Sequence, residues 1–320
     1  MKRKISAIVL AAGKSKRTKT TVPKVLLDLG GIPLIFHILK TLHSLRILDE
    51  VVIVLGHKKD AVEKVVKKSF NRVHFVVQSK LDGTAGAVRD ARPMLNKTDN
   101  VLVVCADTPL ITPSTLRNFI NFFFRHNCDG ALISAVFNEQ TDYGRIIRDA
   151  GNNIKAIVEK VNIDDVQHTE EVNSGIYCFK TKLLFDALKK IKINPRKKEY
   201  FLTDIVEIFY RNRLKIEGYR LSDNEEMLGV NTQYNLALVR KVLNQRVARR
   251  LLKEGITIID PDTTYLSVDT KIGKNSVVFP FTFIEKNVII GSNCQVGPFV
   301  YLRPNTRVKD NTHIRSSISM

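Results

Sequence analysis

Apolar and polar positions alternate at two rhythms through most of the chain and settle into a third near its end. Residues 5–12 (Ile-Ser-Ala-Ile-Val-Leu-Ala-Ala) are an almost unbroken apolar run, which predicts a strand buried on both faces, as in a parallel sheet. A loop rich in Gly, Lys, Ser and Thr follows it. Helical spacing over 34–45, an apolar run at 51–55, helical spacing over 60–68, a run at 73–77, a small-residue helix over 85–95 and a run at 101–106 repeat a β-α-β alternation. Right-handed crossovers put the ends of such strands on one edge of the sheet, where folds of this kind bind ligands. From about residue 129 the predicted strands shorten, at 131–136, 145–148, 154–159 and 174–179, with helices over 183–190 and 203–211. Leu236, Val239, Val242, Leu243, Val247 and Leu251 mark a helical connector over 233–252. Beyond it Leu266, Ile272, Val278, Ile284, Ile290, Val296, Leu302, Val308 and Ile314 recur every six residues. That is the period of a parallel β-helix, whose triangular coil takes three hexads; an antiparallel sheet would show period two.

Composition narrows the class. With 320 residues and 44% apolar content the chain can bury a large α/β core and a smaller second domain. No apolar stretch approaches the ~20 residues that cross a bilayer, so a cytoplasmic protein without a membrane partner is expected. Cys105, Cys128, Cys178 and Cys294 are far apart and form no C-x-x-C pair, which predicts buried small hydrophobes rather than disulfides or zinc ligands. A formal net charge of +19 attracts nucleic acid and anionic surfaces, and equally suits polyphosphate substrates. Neither zinc-finger spacing nor an aromatic RNA-stacking motif accompanies it, so no specific nucleic-acid partner is expected.

The chemistry begins directly after the first strand, at Leu10-Ala11-Ala12-Gly13-Lys14-Ser15-Lys16-Arg17 and then Pro23-Lys24. Phosphates need backbone N–H groups that can approach them and cations that neutralise them, and a basic glycine turn at a strand end supplies both. By charge alone such lysines could equally be solvated. The spacing L-A-A-G-x-x-x-R followed by P-K resembles the signature loop of the sugar-1-phosphate nucleotidyltransferases. The resemblance continues in order through Gln78 with Gly83-Thr84, Ala106-Asp107-Thr108-Pro109-Leu110, Tyr143-Gly144-Arg145-Ile146, Ile157-Val158-Glu159, Val172-Asn173-Ser174-Gly175, Glu199-Tyr200-Phe201-Leu202-Thr203-Asp204 and Gly229-Val230-Asn231. With the hexapeptide repeat, the whole resembles the N-acetylglucosamine-1-phosphate uridylyltransferases, the N-terminal half of bifunctional bacterial enzymes.

The resemblance implies a Rossmann-like α/β nucleotidyltransferase domain with a mostly parallel sheet over 1–231, a helical linker over 232–255 and a truncated left-handed parallel β-helix over 256–320. It implies that Leu10, Ala11, Ala12, Gly13, Lys24, Gln78, Gly83 and Thr84 bind the nucleotide, with Arg17 and Lys24 stabilising the charge on the leaving pyrophosphate. Gly144, Glu159, Asn173 and Asn231 would hold the sugar phosphate, and Asp107 and Asn231 would hold Mg²⁺ through hard oxygen ligands. UTP and N-acetylglucosamine 1-phosphate are the implied substrates, and a homotrimer through the β-helix is the implied association. Plain structural alternatives stand beside these roles: Asp107 before Pro109 as a helix cap, Asn231 as the fixer of a turn or of the next helix, and Glu159 as a solvated strand-end carboxylate.

The sequence also departs from the family. Leu81 and Asp82 precede Gly83-Thr84 where the family usually has glutamine and leucine, which removes one side chain that would hydrogen-bond uracil. Cys105-Ala106 replaces a more usual aromatic-Gly pair. The bifunctional family continues well beyond the length of this chain, so acetyltransferase activity is not expected. Glucose 1-phosphate with UTP or dTTP, a catalytically inactive scaffold, and salt-sensitive nucleic-acid binding are the competing readings.

Overall fold

A computed structural model describes residues 4–13, 16–95, 97–137, 142–159 and 169–316. The chain divides into two compact units, residues 1–26 with 35–229, and residues 27–34 with 230–320.

In chain order the strands up to residue 220 are β1 (Ile5–Ala11), β2 (Asp28–Leu29), β3 (Ile32–Pro33), β4 (Val51–Leu55), β5 (His74–Val77), β6 (Asn100–Cys105), β7 (Gly130–Val136), β8 (Arg145–Arg148), β9 (Ile154–Val158), β10 (Glu171–Lys180) and β11 (Ile216–Arg220). The helices are α1 (Leu34–Ser44), α2 (Lys59–Lys67), α3 (Thr84–Asp90), α4 (Pro113–Arg125), α5 (Thr181–Leu188), α6 (Asp204–Arg211) and α7 (Gln233–Lys253). The first unit is built on a 9-stranded sheet in the order β11-β7-β10-β6-β1-β4-β5, with β8 and β9 joined through β10. β1 runs parallel to β4 and β6, with Ile8 opposite Val52 on one side and Val103 on the other. Every residue of β4 is buried, and β1 is buried except for half-buried Leu10, as an apolar run covered on both faces requires. The sheet is mixed because β10 returns antiparallel between β6 and β7.

Several elements differ from the pattern reading. The helix expected over 85–95 ends at Asp90 and gives way to a short 3₁₀ turn, Arg92–Leu95, because Pro93 has no N–H and crowds the preceding turn. β10 begins at Glu171 rather than 174, and its pairing with β7 shifts between Asn173 and Tyr177. The reading assigns no element over α4 or β11. Yet α4 carries Leu116, Phe119, Ile120 and Phe123 at 3-4 spacing, with Pro113 in its first turn and the Thr112 hydroxyl accepting from the Thr115 N–H at 3.2 Å.

In the second unit α7 opens with a capping box between Thr232 and Asn235. Beyond it two-residue strands stack in parallel: β12 (Thr257–Ile258), β15 (Val277–Val278), β18 (Gln295–Val296) and β21 (His313–Ile314) on one ladder. A second ladder holds β13 (Tyr265–Leu266), β16 (Phe283–Ile284) and β19 (Tyr301–Leu302), and a third β14 (Lys271–Ile272), β17 (Ile289–Ile290) and β20 (Arg307–Val308). Three ladders with partners eighteen residues apart, such as Phe283 opposite Tyr301, are the coils that a six-residue period demands. The aliphatic residue of each hexad is buried from Leu266 to Val308, and Ile258, outside the six-residue register, joins them through the longer Thr257–Val277 step. From residue 275 onward the coil corners carry residues with positive φ, Asn275, Asn287, Asn293, Asn305 and Asn311, and Phe281 and Phe299, whose rings stack 5.0 Å apart. Among the described residues, no helix is long and apolar enough to cross a membrane.

Candidate active site

Strands β1 and β6 are neighbours, so their ends deliver two distant motifs to the same place. Ala106 donates its N–H to the Leu10 carbonyl at 3.0 Å, which fixes the turn carrying Asp107 against the end of β1. Lys24 opens a 3₁₀ turn, Lys24–Leu26, and its Nζ lies 2.5 Å from Asp107 Oδ2, both side chains mostly buried. The cation expected to act on phosphate and the carboxylate expected to bind metal are therefore direct partners. Asp107 caps no helix; Thr112 takes that role for α4. Arg17 is exposed in the turn Lys16–Thr18, while Lys14 and Ser15 lie outside the described residues. Around Gly13, no described atom lies within 4 Å of where a side chain would begin. A side chain at Gly13 would therefore meet none of the described atoms.

Gln78, Gly83 and Thr84 are brought together at the end of β5 and the start of α3. Gln78 is buried, its N–H donating to the Leu55 carbonyl at 2.7 Å and its Nε2 to the Gly83 carbonyl at 3.0 Å. Gly83 has a φ of +111°, and a Cβ there would stand 2.4 Å from the Tyr200 carbonyl oxygen, so only glycine fits. Tyr200 donates its N–H to the Asp82 carbonyl at 2.6 Å, its own carbonyl accepts from Ala85, and the Thr84 hydroxyl accepts from the Leu202 N–H at 3.0 Å. The Glu199–Asp204 segment is thus the latch that holds this loop closed.

The same segment reaches a second cluster. The Thr203 hydroxyl donates to Glu159 Oε1 at 2.9 Å, and a side chain at Gly144 would come within 3.7 Å of the Glu159 carboxyl carbon. The Gly144 carbonyl accepts from the Asn173 N–H at 2.9 Å, and Asn173 Nδ2 donates to the Tyr177 hydroxyl at 2.7 Å. Gly144, Glu159 and Asn173, scattered in sequence, therefore share one corner. Burial raises the Glu159 carboxyl above the usual range, with the Thr203 hydrogen bond opposing in part. Asp204 is pushed up to about 6, by burial first and then by Glu159 and Glu207. Cys105 lies between the clusters, 3.7 Å from the Gly175 carbonyl, and burial with Asp107 beside it pushes its thiol up to about 12. A thiol so fully protonated is no nucleophile at neutral pH.

Asn231 belongs to the second unit, where its N–H donates to Asn235 Oδ1 at 3.2 Å. Pattern reading passes over Thr203 and Tyr177 as contacts of Glu159 and Asn173, and over Tyr143, whose hydroxyl donates to the Met227 carbonyl at 3.1 Å and accepts from the Gly229 N–H at 3.0 Å. Thr203 and Tyr143 stand within the ordered motifs, whereas no sequence signal marked Tyr177.

For a divalent metal the donor chemistry fits on one side. Asp107 is a hard carboxylate, and among the described residues no cluster of three or more His, Cys, Asp or Glu could hold an ion unaided. Mg²⁺ commonly takes only one or two carboxylates and completes its shell with water and substrate phosphate.

The chain is similar to several known proteins. The bifunctional protein GlmU of Acetivibrio thermocellus is 38% identical over 283 residues, covering 88% of this chain and 60% of that protein. That of Streptococcus agalactiae serotype V is 37% identical over 276 residues, covering 86% and 59%. The chain thus spans about three-fifths of the length of the curated relatives it matches. A solved UDP-glucose pyrophosphorylase complexed with UDP-glucose shares the fold at a TM-score of 0.63 and 19% identity, over 76% of this chain and 99% of that one. Residues 269–304 match the bacterial transferase hexapeptide repeats, and residues 7–202 match the MobA-like NTP transferase domain, the family to which this chain belongs.

Proposed function

We propose that this chain is a sugar-1-phosphate nucleotidyltransferase that transfers UMP from UTP to N-acetylglucosamine 1-phosphate, releasing pyrophosphate. The observation that carries the reading is the Lys24–Asp107 pair at 2.5 Å, which joins two phosphate-chemistry motifs 83 residues apart at the strand ends. Similarity to the bifunctional GlmU proteins supports the choice of substrates.

In this reading Gly13, with Leu10, Ala11 and Ala12, lies along the triphosphate, and Gln78, Gly83 and Thr84 receive the base. Gly144, Glu159 and Asn173 receive the sugar, whose hydroxyl and amide groups suit one carboxylate and one side-chain amide. The sugar phosphate oxygen attacks the α-phosphorus in line, and the bond to pyrophosphate breaks as the new one forms. Lys24 and Arg17 neutralise the charge on the departing pyrophosphate. No general base is needed, since the attacking phosphate is already ionised at neutral pH. Asp107 would hold Mg²⁺, which would supply positive charge to offset that of the phosphates; for Asn231 that role rests on the resemblance alone. A homotrimer through the β-helix is part of the same reading.

The test is pyrophosphate release with Mg²⁺, pairing UTP, dTTP and CTP with N-acetylglucosamine 1-phosphate and with glucose 1-phosphate. Turnover confined to UTP with N-acetylglucosamine 1-phosphate is the expected result. Preference for glucose 1-phosphate would transfer the reading to its nearest rival, and silence with every pair would leave a scaffold.

A further inference from the structure

Gln78 is 6% exposed, yet only one end of its amide is engaged. Nε2 lies 3.2 Å from Asp82 Oδ1 and 3.0 Å from the Gly83 carbonyl oxygen, and neither partner can donate. The two bonds consume both amide hydrogens, and a flipped amide would aim its oxygen at a carboxylate and a carbonyl. Oε1 is left without a hydrogen bond among the described residues.

Asp82 is itself held on several sides. Its Oδ2 accepts from Arg89 Nη2 at 2.8 Å, and its backbone carbonyl accepts from the Tyr200 N–H at 2.6 Å. Its Oδ1 occupies the place a side chain would take at Gly86, where a Cβ would stand 1.8 Å away. Arg89 in turn lies over the Tyr200 ring at 5.6 Å. A carboxylate seated on a glycine, paired to an arginine and bonded to a buried amide, is a built arrangement.

We propose that Asp82 is a positioning residue for base recognition: it turns the Gln78 amide so that the carbonyl oxygen faces the nucleobase. An acceptor at that point selects a base whose edge offers a ring N–H between carbonyls, the imide edge of uracil or thymine. Cytosine presents an acceptor nitrogen there and is disfavoured by lone-pair repulsion and an unmade hydrogen bond. With Leu81 contributing no hydrogen bond, the orientation of this one amide carries much of the selection. The inference rests on Gln78 being the base-reading residue.

Equilibrium binding of UTP and CTP to the full chain, measured by calorimetry beside the turnover assay, tests it. In the wild type UTP should bind at least tenfold more tightly than CTP. Asp82→Leu frees the amide to flip and should bring the two affinities within about threefold, raising KM for UTP while leaving kcat nearly unchanged. Gly86→Ala, which displaces the carboxylate, should act in the same direction. Asp82→Asn keeps an acceptor for Nε2 and should restore most of the preference. Melting curves establish that each variant is folded. Folded Asp82→Leu and Gly86→Ala proteins with an undiminished preference for UTP would overturn the proposal, as would a wild type that binds both nucleotides equally or binds neither. Selective UTP binding that collapses in Asp82→Leu, with no turnover of any sugar phosphate, would overturn the proposed reaction and leave this inference standing.

Discussion

Lys24 and Asp107 are direct partners, and the proposed reaction gives each a part in the phosphate chemistry, so removing either should cost activity far more than stability. Lys24→Met should lower kcat by roughly 10²-fold or more, the scale of losing one preorganised charge at a transition state. Asp107→Asn should abolish most turnover and raise the Mg²⁺ concentration needed for half-maximal rate. Either variant turning over normally, with melting temperature unchanged, would detach the pair from catalysis. Asp204 gives a pH prediction. Its carboxyl is raised from 3.8 to about 6, so the folded chain binds that proton more tightly than the unfolded one. The associated stability is fully present below about pH 4 and is lost as pH rises through about 6. Asp204→Asn should flatten the melting-temperature profile across that window and raise the value at pH 7; an unchanged slope would contradict the assignment. The roles of Lys24 and Asp107 stood in the motifs, but their pairing and the surroundings of Asp204 were not legible in the local sequence. Asp204 stands within a recognisable motif, but its proximity to Glu159 exists only because α6 packs on β9.

At the scale of elements, the Gly83 loop and the start of the β-helix are each held by few groups. Gly83→Ala would set a methyl into the Tyr200 backbone at a φ of +111°, so the Glu199–Asp204 latch must yield. A loss of about 1–3 kcal/mol in urea unfolding is expected, with a larger rise in KM for the nucleotide than a core variant of equal stability shows. In the second unit, buried Asn244 of α7 donates to the Thr264 carbonyl at 2.8 Å and the Pro261 carbonyl at 3.3 Å, and accepts from the Leu266 N–H at 2.9 Å. Asn244→Leu should therefore cost about 2–4 kcal/mol, because buried backbone groups lose their partners; a near-neutral result in urea unfolding would mean that water replaces the amide. α7 was legible as a helix from its apolar spacing, but its one buried polar residue reads as a flaw in that stripe until the first coil is seen against it. α4 likewise carries its signals in the sequence, Thr112, Pro113 and an apolar stripe at 3-4 spacing.

Over the whole molecule the net charge of +19 suits polyanionic substrates. Raising ionic strength from about 0.05 to 0.3 M should increase KM for UTP several-fold and leave kcat nearly constant, as screening weakens attraction before it touches chemistry at close range. A flat KM would place the excess charge away from the site. The amino-acid sequence by itself determined what repeats: the alternating α/β order, the six-residue period, and the basic glycine loop after the first strand. Burial at a regular spacing is a local property, so it survives in one dimension. Only the tertiary structure decided which distant groups meet. It set Lys24 against Asp107 and Thr203 against Glu159, and it admitted Ile258 to a ladder its own register would have excluded. Those meetings depend on strand order and on the turns between strands, and neither leaves a period in the chain for a reader of sequence to find.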